Sequence, residues 1–213
     1  MNSPSSKIQS YLSSTIVVNI FSLIGRSILV YYRLAKLRSR YPTLVFEMPI
    51  KIKFDQPNAL RLGENISIGA FSEIVVLEST TYSPIKGALD IGDRVIIGRG
   101  ANIRAAGGPI VIGEGALLAQ DVSLIAANHI LNPADFYRDQ PWDSNRVGVI
   151  VGRNVWIGAG VIVLPGVVIG ENSVIGAGSV VNKNVPSNQI WAGVPARCIK
   201  SLELQVDNEA DRH

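Results

Sequence analysis

A strict six-residue period dominates the second half of the chain. Aliphatic residues recur every six positions from Val151 to Val181, and the residue four places after each is small or β-branched. The same spacing occurs at Ile112 and Leu118 and, more loosely, from Leu44 onward. A short fixed period is typical of a stacked solenoid, and a hexapeptide period of a β-helix. Strands of an ordinary β-sandwich alternate with a period of two and would not maintain it.

Three hexapeptides form one triangular coil, in which position one points into the core and position five fills a corner. We expect the glycine that follows many position-one residues to adopt a positive φ at the turn. Successive coils should pair as parallel strands about 4.8 Å apart. The sequence accommodates about six coils, namely 44–61 (position one at Leu44, Ile50 and Gln56), 62–79, 91–108, 112–129, 151–168 and 169–186.

A solenoid tolerates insertions at its corners, where they leave the core intact. The repeat is interrupted at 77–90, near Ala106–Gly108 and at 130–150. The last insertion carries three aromatic residues, among them Trp142, together with prolines and charges. Long loops in compact domains are usually functional or disordered. Aromatic residues within a polar loop favour one that docks onto a ligand or another surface.

The stretch VGRNVWIGAGVIVLPGVVIGENSVIGAGSVV and the following AGVPARCIK resemble the hexapeptide-repeat acyltransferases. The nearest likeness is to the O-acetyltransferases of galactosides, maltose and bacterial surface polysaccharides. It is dense over 112–200, thinner over 44–111 and absent from 1–43. The resemblance implies an all-β solenoid, specifically a left-handed parallel β-helix. It also implies acetyl-CoA as cosubstrate and a homotrimer with its active sites between adjacent subunits.

His129 stands where the repeat breaks, at the end of the coil 112–129. In the resembling family this position holds the general base, which accepts the proton of a hydroxyl as it attacks a thioester carbonyl. A structural corner histidine is the alternative. Asn128 would either orient the imidazole or cap the corner. His213, the last residue, is interpreted as part of a tail.

The resemblance also assigns positions that bind the coenzyme and the reacting carbonyl. The N–H of Ala159 in WIGAG would be an oxyanion-hole donor, and Ala177 would bind the pantetheine amides. Trp156 would flank the reactive centre or the pantetheine arm, unless it is an exposed corner aromatic. Cations for the coenzyme phosphates are expected at Lys183, Arg197 and Lys200. Asn182 stands where the family usually has threonine. Each cation could instead be an ordinary surface charge.

The acceptor side is less clear. The segment GRGANIRAAGG does not match the sugar-binding asparagine and aspartate of galactoside-type enzymes. The substrate-binding candidates are Arg99, Asn102 and Arg104, with Trp142 from the loop. Arginines would suit an acidic sugar, or a sugar linked to a nucleotide or lipid phosphate. The N-terminal helical motif of the galactoside and maltose enzymes is also missing, so neither simple sugar is the expected acceptor.

We predict three parts: an N-terminal helical segment at 1–43, the β-helix at 44–186 with acceptor loop 130–150, and a coenzyme-binding extension and tail at 187–213. The first segment should be helical up to Pro42. Arg26 disfavours a membrane-spanning helix, which leaves an interfacial helix and a cap on the first coil or a partner subunit. No convincing secretion signal is present, so we expect a cytoplasmic location, with membrane-surface contact open.

The sequence therefore predicts an acetyl-CoA-dependent O-acetyltransferase acting on a sugar hydroxyl, in bacterial surface-polysaccharide or glycolipid biosynthesis. The alternatives are a xenobiotic (antibiotic) acetyltransferase, an amino-sugar N-acetyltransferase and a non-catalytic hexapeptide scaffold. A net charge of +3 without a basic stripe gives nucleic-acid binding little support. Hexapeptide carbonic anhydrases need three histidine ligands and this chain has two histidines, so we expect no metal.

Overall fold

The computed structural model describes residues 31–32 and 34–203. The chain divides into two compact units, Met1–Pro42 and Thr43–His213. In the first unit, residues 31–32 and 34–40 are helical, and the N–H of Tyr41 donates to the carbonyl of Leu37 at 2.9 Å. The alternatives for the N-terminal segment and the tail interpretation of His213 concern residues that lie mostly outside the described ones.

The described residues of the second unit, 43–203, form nineteen short strands and two 3-10 turns, Pro57–Ala59 and Tyr137–Asp139. In chain order the strands are β1 (Val45–Phe46), β2 (Lys51–Phe54), β3 (Leu60–Leu62), β4 (Ser67–Ile68), β5 (Glu73–Leu77), β6 (Ala88–Ile91), β7 (Ile96–Ile97), β8 (Asn102–Ala106), β9 (Pro109–Ile112), β10 (Leu117–Leu118), β11 (Ser123–Ile125), β12 (Val149–Val151), β13 (Trp156–Ile157), β14 (Ile162–Val163), β15 (Val167–Ile169), β16 (Val174–Ile175), β17 (Val180–Val181), β18 (Gln189–Gly193) and β19 (Ala196–Ser201).

These strands form three sheets, in which each strand up to β17 pairs with a strand three places before or after it, and β18 pairs with β16 and β19. Sheet A runs β1-β4-β7-β10-β13-β16-β18-β19, sheet B runs β17-β14-β11-β8-β5-β2, and sheet C runs β15-β12-β9-β6-β3. Pairing is parallel throughout, except between β18 and β19. Five complete coils run from β3 to β17, with β1 and β2 before them and β18 after them. The predicted fold class, a left-handed parallel β-helix, is confirmed.

The core is a stack of aliphatic side chains from position one of each hexapeptide. Ile97, Leu118 and Ile157 pair in register along sheet A, and each is at most 1 % exposed. The small residues of position five are buried at the corners, as predicted. Three of them, Ser72, Ser173 and Ser179, are polar, and their hydroxyls donate to the carbonyls of Gly69 at 2.8 Å, Pro186 at 2.8 Å and Gly176 at 2.6 Å. Their burial therefore leaves no hydroxyl unsatisfied.

The glycine that follows position one has a different role from the one we expected. Gly98 and Gly158 do not have a positive φ. A Cβ on Gly98 would lie 2.6 Å from the carbonyl carbon of Ala119, and one on Gly158 would lie 2.6 Å from the nitrogen of Ala177. Close approach of the next coil therefore excludes a side chain here. Positive φ occurs two residues later, as at Gly160 (66°).

The register predicted for the first coil is wrong. Phe46 and Ile52, not Leu44 and Ile50, pair with the position-one residues of the next coil. Gln56 is exposed and directly precedes the 3-10 turn, so the third strand begins only at Leu60. The turn inserts extra residues into this coil, so counting in sixes fails there. Leu44 and Ile50 are nevertheless buried.

Every long interruption leaves the solenoid at the same corner, between sheet B and sheet C. The predicted loop 77–90 is shorter than expected, because Ala88–Ile91 forms β6 and only 78–87 is loop. The insertion near Ala106–Gly108 is a link of two glycines between β8 and β9. The largest loop joins β11 to β12. We name the 78–87 segment the first loop and the 126–148 segment the second loop.

Replacing Gly98 by alanine should destabilise the protein by about 2–3 kcal/mol, because the methyl group meets backbone that cannot yield. Gly115→Ala is the matched control: its φ is 66°, but no atom lies within 4 Å of an added Cβ. Strain alone should cost the control about 1 kcal/mol. Urea unfolding followed by circular dichroism compares the two. Equal destabilisation would show that coil spacing does not explain the glycine.

Candidate functional site

His129 lies four residues beyond β11, at the start of the second loop, and is half-buried. Its Nδ1 is 3.0 Å from the carbonyl oxygen of Gln140. Because a carbonyl oxygen can only accept, Nδ1 carries the proton in the neutral imidazole. Nε2 is consequently the acceptor, which is the form that a general base requires.

Trp142 contacts the other imidazole nitrogen. Its indole Nε1–H donates to Nε2 of His129 at 3.2 Å, and the two rings meet edge to face with centroids 5.9 Å apart. The backbone is folded back here as well, because His129 and Trp142 form an antiparallel bridge and the N–H of Ile130 donates to the carbonyl of Pro141 at 2.9 Å. The second loop thus holds the imidazole from both sides.

Gln140 fixes the carbonyl that orients the imidazole. Its side chain is 6 % exposed and bonds only within the loop: Oε1 accepts from the N–H of Asn132 at 2.9 Å, and Nε2 donates to the carbonyl of Asp135 at 3.1 Å. Asn128 contributes through its backbone, whose carbonyl accepts from the N–H of Asp143 at 2.8 Å. This contact gives Asn128 a role in closing the loop hairpin.

The first loop supplies a residue that the sequence analysis missed. The carbonyl of Tyr82 accepts from the N–H of Trp142 at 2.8 Å. The two rings stack at 14° with centroids 5.9 Å apart, and the Tyr82 ring lies edge-on to His129 at 6.0 Å. Both insertions follow the third strand of a coil, so their shared corner was a signal in the sequence that could have brought Tyr82 and His129 together.

Gly107 makes room for this cluster. The coil between the two loops crosses the same corner with only Gly107 and Gly108. A Cβ on Gly107 would overlap the ring of Trp142. Its φ of 68° also disfavours any other residue. The short, side-chain-free link lets Trp142 reach Tyr82 across the intervening coil.

The residues assigned to the reacting carbonyl and the pantetheine arm lie at a different corner, between sheets A and B. Trp156 is 52 % exposed on β13 and points outward, and Ala159 and Ala177 occupy equivalent turns one coil apart. Within the described residues, neither alanine N–H donates a hydrogen bond, whereas the N–H of Gly178 donates to the carbonyl of Ala159 at 2.8 Å. The two alanine N–H groups are therefore free to bind a ligand.

A single chain does not bring these alanines to His129. Ala159 and Ala177 precede strands of sheet B, whereas His129 follows a strand of the same sheet. The two alanines consequently lie at the amino-terminal ends of the sheet B strands, whereas His129 lies beyond their carboxyl-terminal ends.

The candidate phosphate-binding residues are dispersed. Arg197 and Lys200 lie exposed on β19, and Lys183 is exposed just after β17. The carbonyl of Asn182 accepts from Arg146 at 3.0 Å, and its side-chain Oδ1 is buried without a partner. Within the described part of the chain, no group of three His, Cys, Asp or Glu could hold a metal ion.

Two of the acceptor candidates lie on the strand that pairs with β11, the strand before His129. Asn102 and Arg104 face outward on β8, opposite Ser123 and Ile125 of β11. Arg99 lies at the corner between sheets A and B, with its guanidinium 5.3 Å from the ring centroid of Phe71. The structure thus separates Arg99 from the other two.

Glu73 partly offsets the positive charge beside the site. A hydrogen bond from Lys51, 2.8 Å away, lowers the pKa of the Glu73 carboxyl, and the charge of Arg104 adds to the shift. Burial opposes the shift, but the net direction is downward. Glu73 is therefore ionised at neutral pH. It lies 3.8 Å from Nη1 of Arg104, so this arginine is not an isolated cation.

The sequence was compared with known proteins. A family profile described as bacterial transferase hexapeptide (six repeats) matches residues 148–183. WbbJ of Escherichia coli, which carries the name of a lipopolysaccharide biosynthesis O-acetyl transferase, is 31 % identical over 166 residues, covering 73 % of this chain and 78 % of WbbJ. The chain belongs to the hexapeptide-repeat acetyltransferases.

Other members of the family match a shorter segment of the chain. The galactoside O-acetyltransferase of Escherichia coli is 39 % identical over 104 residues, which is 49 % of this chain and 47 % of that enzyme. The chain spans about half the length of several curated relatives that it matches.

Solved acyltransferases share the fold of this acetyltransferase chain. The N-acyltransferase AntD from Bacillus cereus, in complex with dTDP and 3-hydroxybutyryl-CoA, has a TM-score of 0.60 at 24 % identity, covering 76 % of this chain and 81 % of AntD. The hexapeptide-repeat acetyltransferase VCA0836 from Vibrio cholerae has a TM-score of 0.51 at 23 % identity, covering 82 % and 81 %. At these identities the likeness concerns the fold alone. Among the described residues, no helix combines the length and hydropathy needed to cross a bilayer.

Gly107→Ala should displace the ring of Trp142 and expose it to water, which shifts tryptophan emission to longer wavelength. Gly115→Ala is the matched control, because its φ of 66° imposes the same strain with no neighbour to displace. Emission spectra of both variants, repeated in a Trp142→Phe background, assign the signal among the three tryptophans. A shift that persists without Trp142 would contradict the expected packing.

Proposed function

We propose that this chain is an acetyl-CoA-dependent O-acetyltransferase that acts on a sugar hydroxyl. The observation that carries the proposal is the fixed imidazole of His129, with Nδ1–H on the carbonyl of Gln140 and Nε2 as acceptor. This is the tautomer that a general base needs, and the second loop holds it in place. The family membership supports acetyl transfer as the reaction class.

Transfer would be direct. Nε2 of His129 accepts the proton of the acceptor hydroxyl, while the hydroxyl oxygen forms its bond to the thioester carbonyl carbon. The carbonyl oxygen of the tetrahedral intermediate becomes negative and binds the free N–H of Ala159. Collapse breaks the carbon–sulfur bond, and the leaving thiolate takes the proton from the imidazolium. The products are the acetyl ester and coenzyme A, and no acyl-enzyme is needed.

Trp142 imposes a condition on this sequence. Its indole N–H donates a hydrogen bond to Nε2. The acceptor hydroxyl has to replace that donor before the proton can move. Trp142 would accordingly lose its hydrogen bond to Nε2 of His129 when the acceptor binds. This role fits its position in the predicted acceptor loop.

The coenzyme would lie along the corner between sheets A and B. The exposed Trp156 and the free N–H groups of Ala159 and Ala177 would contact the pantetheine arm. Lys183, Arg197 and Lys200 would pair with the phosphates, and Asn182 would line the same region. The exposure of all three cations supports this role, because a phosphate needs accessible charge.

We propose a homotrimer in which His129 of one subunit meets the alanine corner of the next. The separation of these groups across sheet B supports this arrangement. The outward face of sheet A is also apolar: Val45, Ile96 and Leu117 are 55 %, 50 % and 39 % exposed. Exposed apolar faces of this kind mark protein interfaces.

For the acceptor we propose a sugar of a surface polysaccharide or glycolipid. The likeness to WbbJ supports this class. Asn102 and Arg104 would contact an acidic or phosphate-linked acceptor, and Arg99 would bind only a larger one. Cytoplasmic synthesis of such a glycan next to the membrane, with residues 1–40 at its surface, is part of the proposal.

His129→Ala should reduce acceptor-dependent thiol release from acetyl-CoA by about 10²–10⁴-fold, because the hydroxyl loses its base. The assay uses a panel of sugars, nucleotide sugars, glycan extracts and antibiotics. Calorimetry with coenzyme A is the control, because the affinity for the coenzyme should be the same in the variant and the wild type. Wild-type rates in the variant would refute the mechanism. Acetylation of an antibiotic would instead identify a xenobiotic acetyltransferase. An amide product would identify an N-acetyltransferase.

Two inactive variants should restore activity when mixed, if the site lies between subunits. Ala177→Arg would block the coenzyme corner, and His129→Ala removes the base. In randomly mixed trimers, about a quarter of the interfaces join an intact histidine to an intact corner. Refolding the two variants together should recover about that share of wild-type activity. Recovery of none would place the complete site within one chain.

A further inference from the structure

We propose that Tyr82 and Trp142 form a stacking wall that binds the pyranose ring of the acceptor beside His129. Tyr82 belongs to the first loop and carries no role in the mechanism given above. The inference rests on the proposed function, because it names how that site holds its acceptor. It follows from three features: the geometry of the ring pair, the anchoring of Tyr82 and the accessibility of its ring.

The ring pair has one face available to a ligand. Trp142 is confined on one side by the glycine link at Gly107 and at its edge by His129. Its remaining face is stacked on Tyr82. The accessible aromatic surface of the pair therefore belongs to Tyr82, whose residue is 39 % exposed.

The exposed ring is carried by a fixed backbone. The carbonyl of Tyr82 accepts from the N–H of Trp142 at 2.8 Å, and its own N–H donates to Oγ1 of Thr80 at 3.2 Å. Thr80 and Ser83 form an antiparallel bridge around it, and Ser83 is 8 % exposed, with its hydroxyl accepting from Ile85 at 3.1 Å. A large aromatic side chain that is anchored but not covered is preorganised for a ligand.

A sugar ring matches this surface. A pyranose presents a face of C–H groups to an aromatic ring and hydroxyls around its edge. The Tyr82 ring centroid lies 6.0 Å from that of His129. A sugar stacked on Tyr82 would therefore direct an edge hydroxyl to Nε2 of His129, in place of the indole N–H. Within the described residues, the Tyr82 hydroxyl makes no hydrogen bond, so it can also bind a sugar hydroxyl.

Saturation-transfer NMR tests the wall without turnover. The probes are methyl β-D-glucopyranoside, methyl β-D-galactopyranoside and methyl α-D-mannopyranoside at millimolar concentration, each with the full chain. At least one should bind wild type, and Tyr82→Ala should weaken that binding about five-fold or more through loss of the stack. Tyr82→Phe keeps the ring and should retain most of the binding.

Phe136→Ala is the matched control, because Phe136 is an aromatic residue of the second loop that is 79 % exposed and is not part of the ring pair. It should leave binding unchanged. Thermal melts establish that each variant is folded, and Tyr82→Leu replaces Tyr82→Ala if that variant is not. Equal binding by the folded Tyr82 variants and wild type overturns the proposal, as does the failure of wild type to bind any of the three probes.

The outcome separates this inference from the proposed function. If His129→Ala abolishes acetyl transfer while Tyr82→Ala binds sugar like wild type, only the stacking wall is wrong. If Tyr82→Ala loses sugar binding while His129→Ala transfers acetyl groups normally, the wall stands and the base is wrong. An acceptor KM that rises in Tyr82→Ala with kcat unchanged would support the wall during turnover.

Discussion

The backbone hydrogen bonds between successive coils set every other dimension of this molecule. They hold parallel strands about 4.8 Å apart at all three sides of the triangle. After Ile97 and Ile157 this spacing leaves no room for a Cβ, and a glycine with positive φ follows two places on. The hexapeptide period is thus a record of coil spacing as much as of hydrophobic burial.

The chemistry of the candidate site is a product of that constraint. Both loops leave at the corner between sheets B and C, so residues distant in sequence are stacked above one another. The glycine link between them lets Tyr82 and Trp142 make contact, and that contact holds the aromatic ring against His129. The solenoid fixes the point at which the chain leaves sheet B, and the two loops supply the groups around the imidazole of His129.

The sequence predicted the features that follow from the six-residue period. It predicted few of the features that follow from contacts between residues distant in sequence. The fold class and the core positions followed from burial every sixth residue, from Leu62 onward. The first coil was misread because the turn at Pro57–Ala59 adds residues that only the pairing of β2 with β5 reveals. The glycines were correctly singled out, but for a conformational reason, when the cause is a neighbouring coil.

Within the site, His129 was found because it stands at a break in the repeat. Gln140 was missed because its role depends on a backbone carbonyl and on hydrogen bonds within an irregular loop. Neither Tyr82 nor Gly107 has a local signature, since each matters through the corner it shares with Trp142. The assigned roles of the coenzyme-binding residues remain predictions, as nothing in one chain unites them with the base.

The antiparallel return of β19 bears on the size of the molecule. A parallel ladder is open-ended, and its last strand offers unpaired N–H and C=O groups to any further strand, including one from another copy. At the end of sheet A, β19 runs against β18 rather than along it. A further parallel layer in the same register would meet a reversed neighbour. Among the described residues, the hairpin therefore replaces an open parallel edge of sheet A with an antiparallel strand that does not match the register of a further coil.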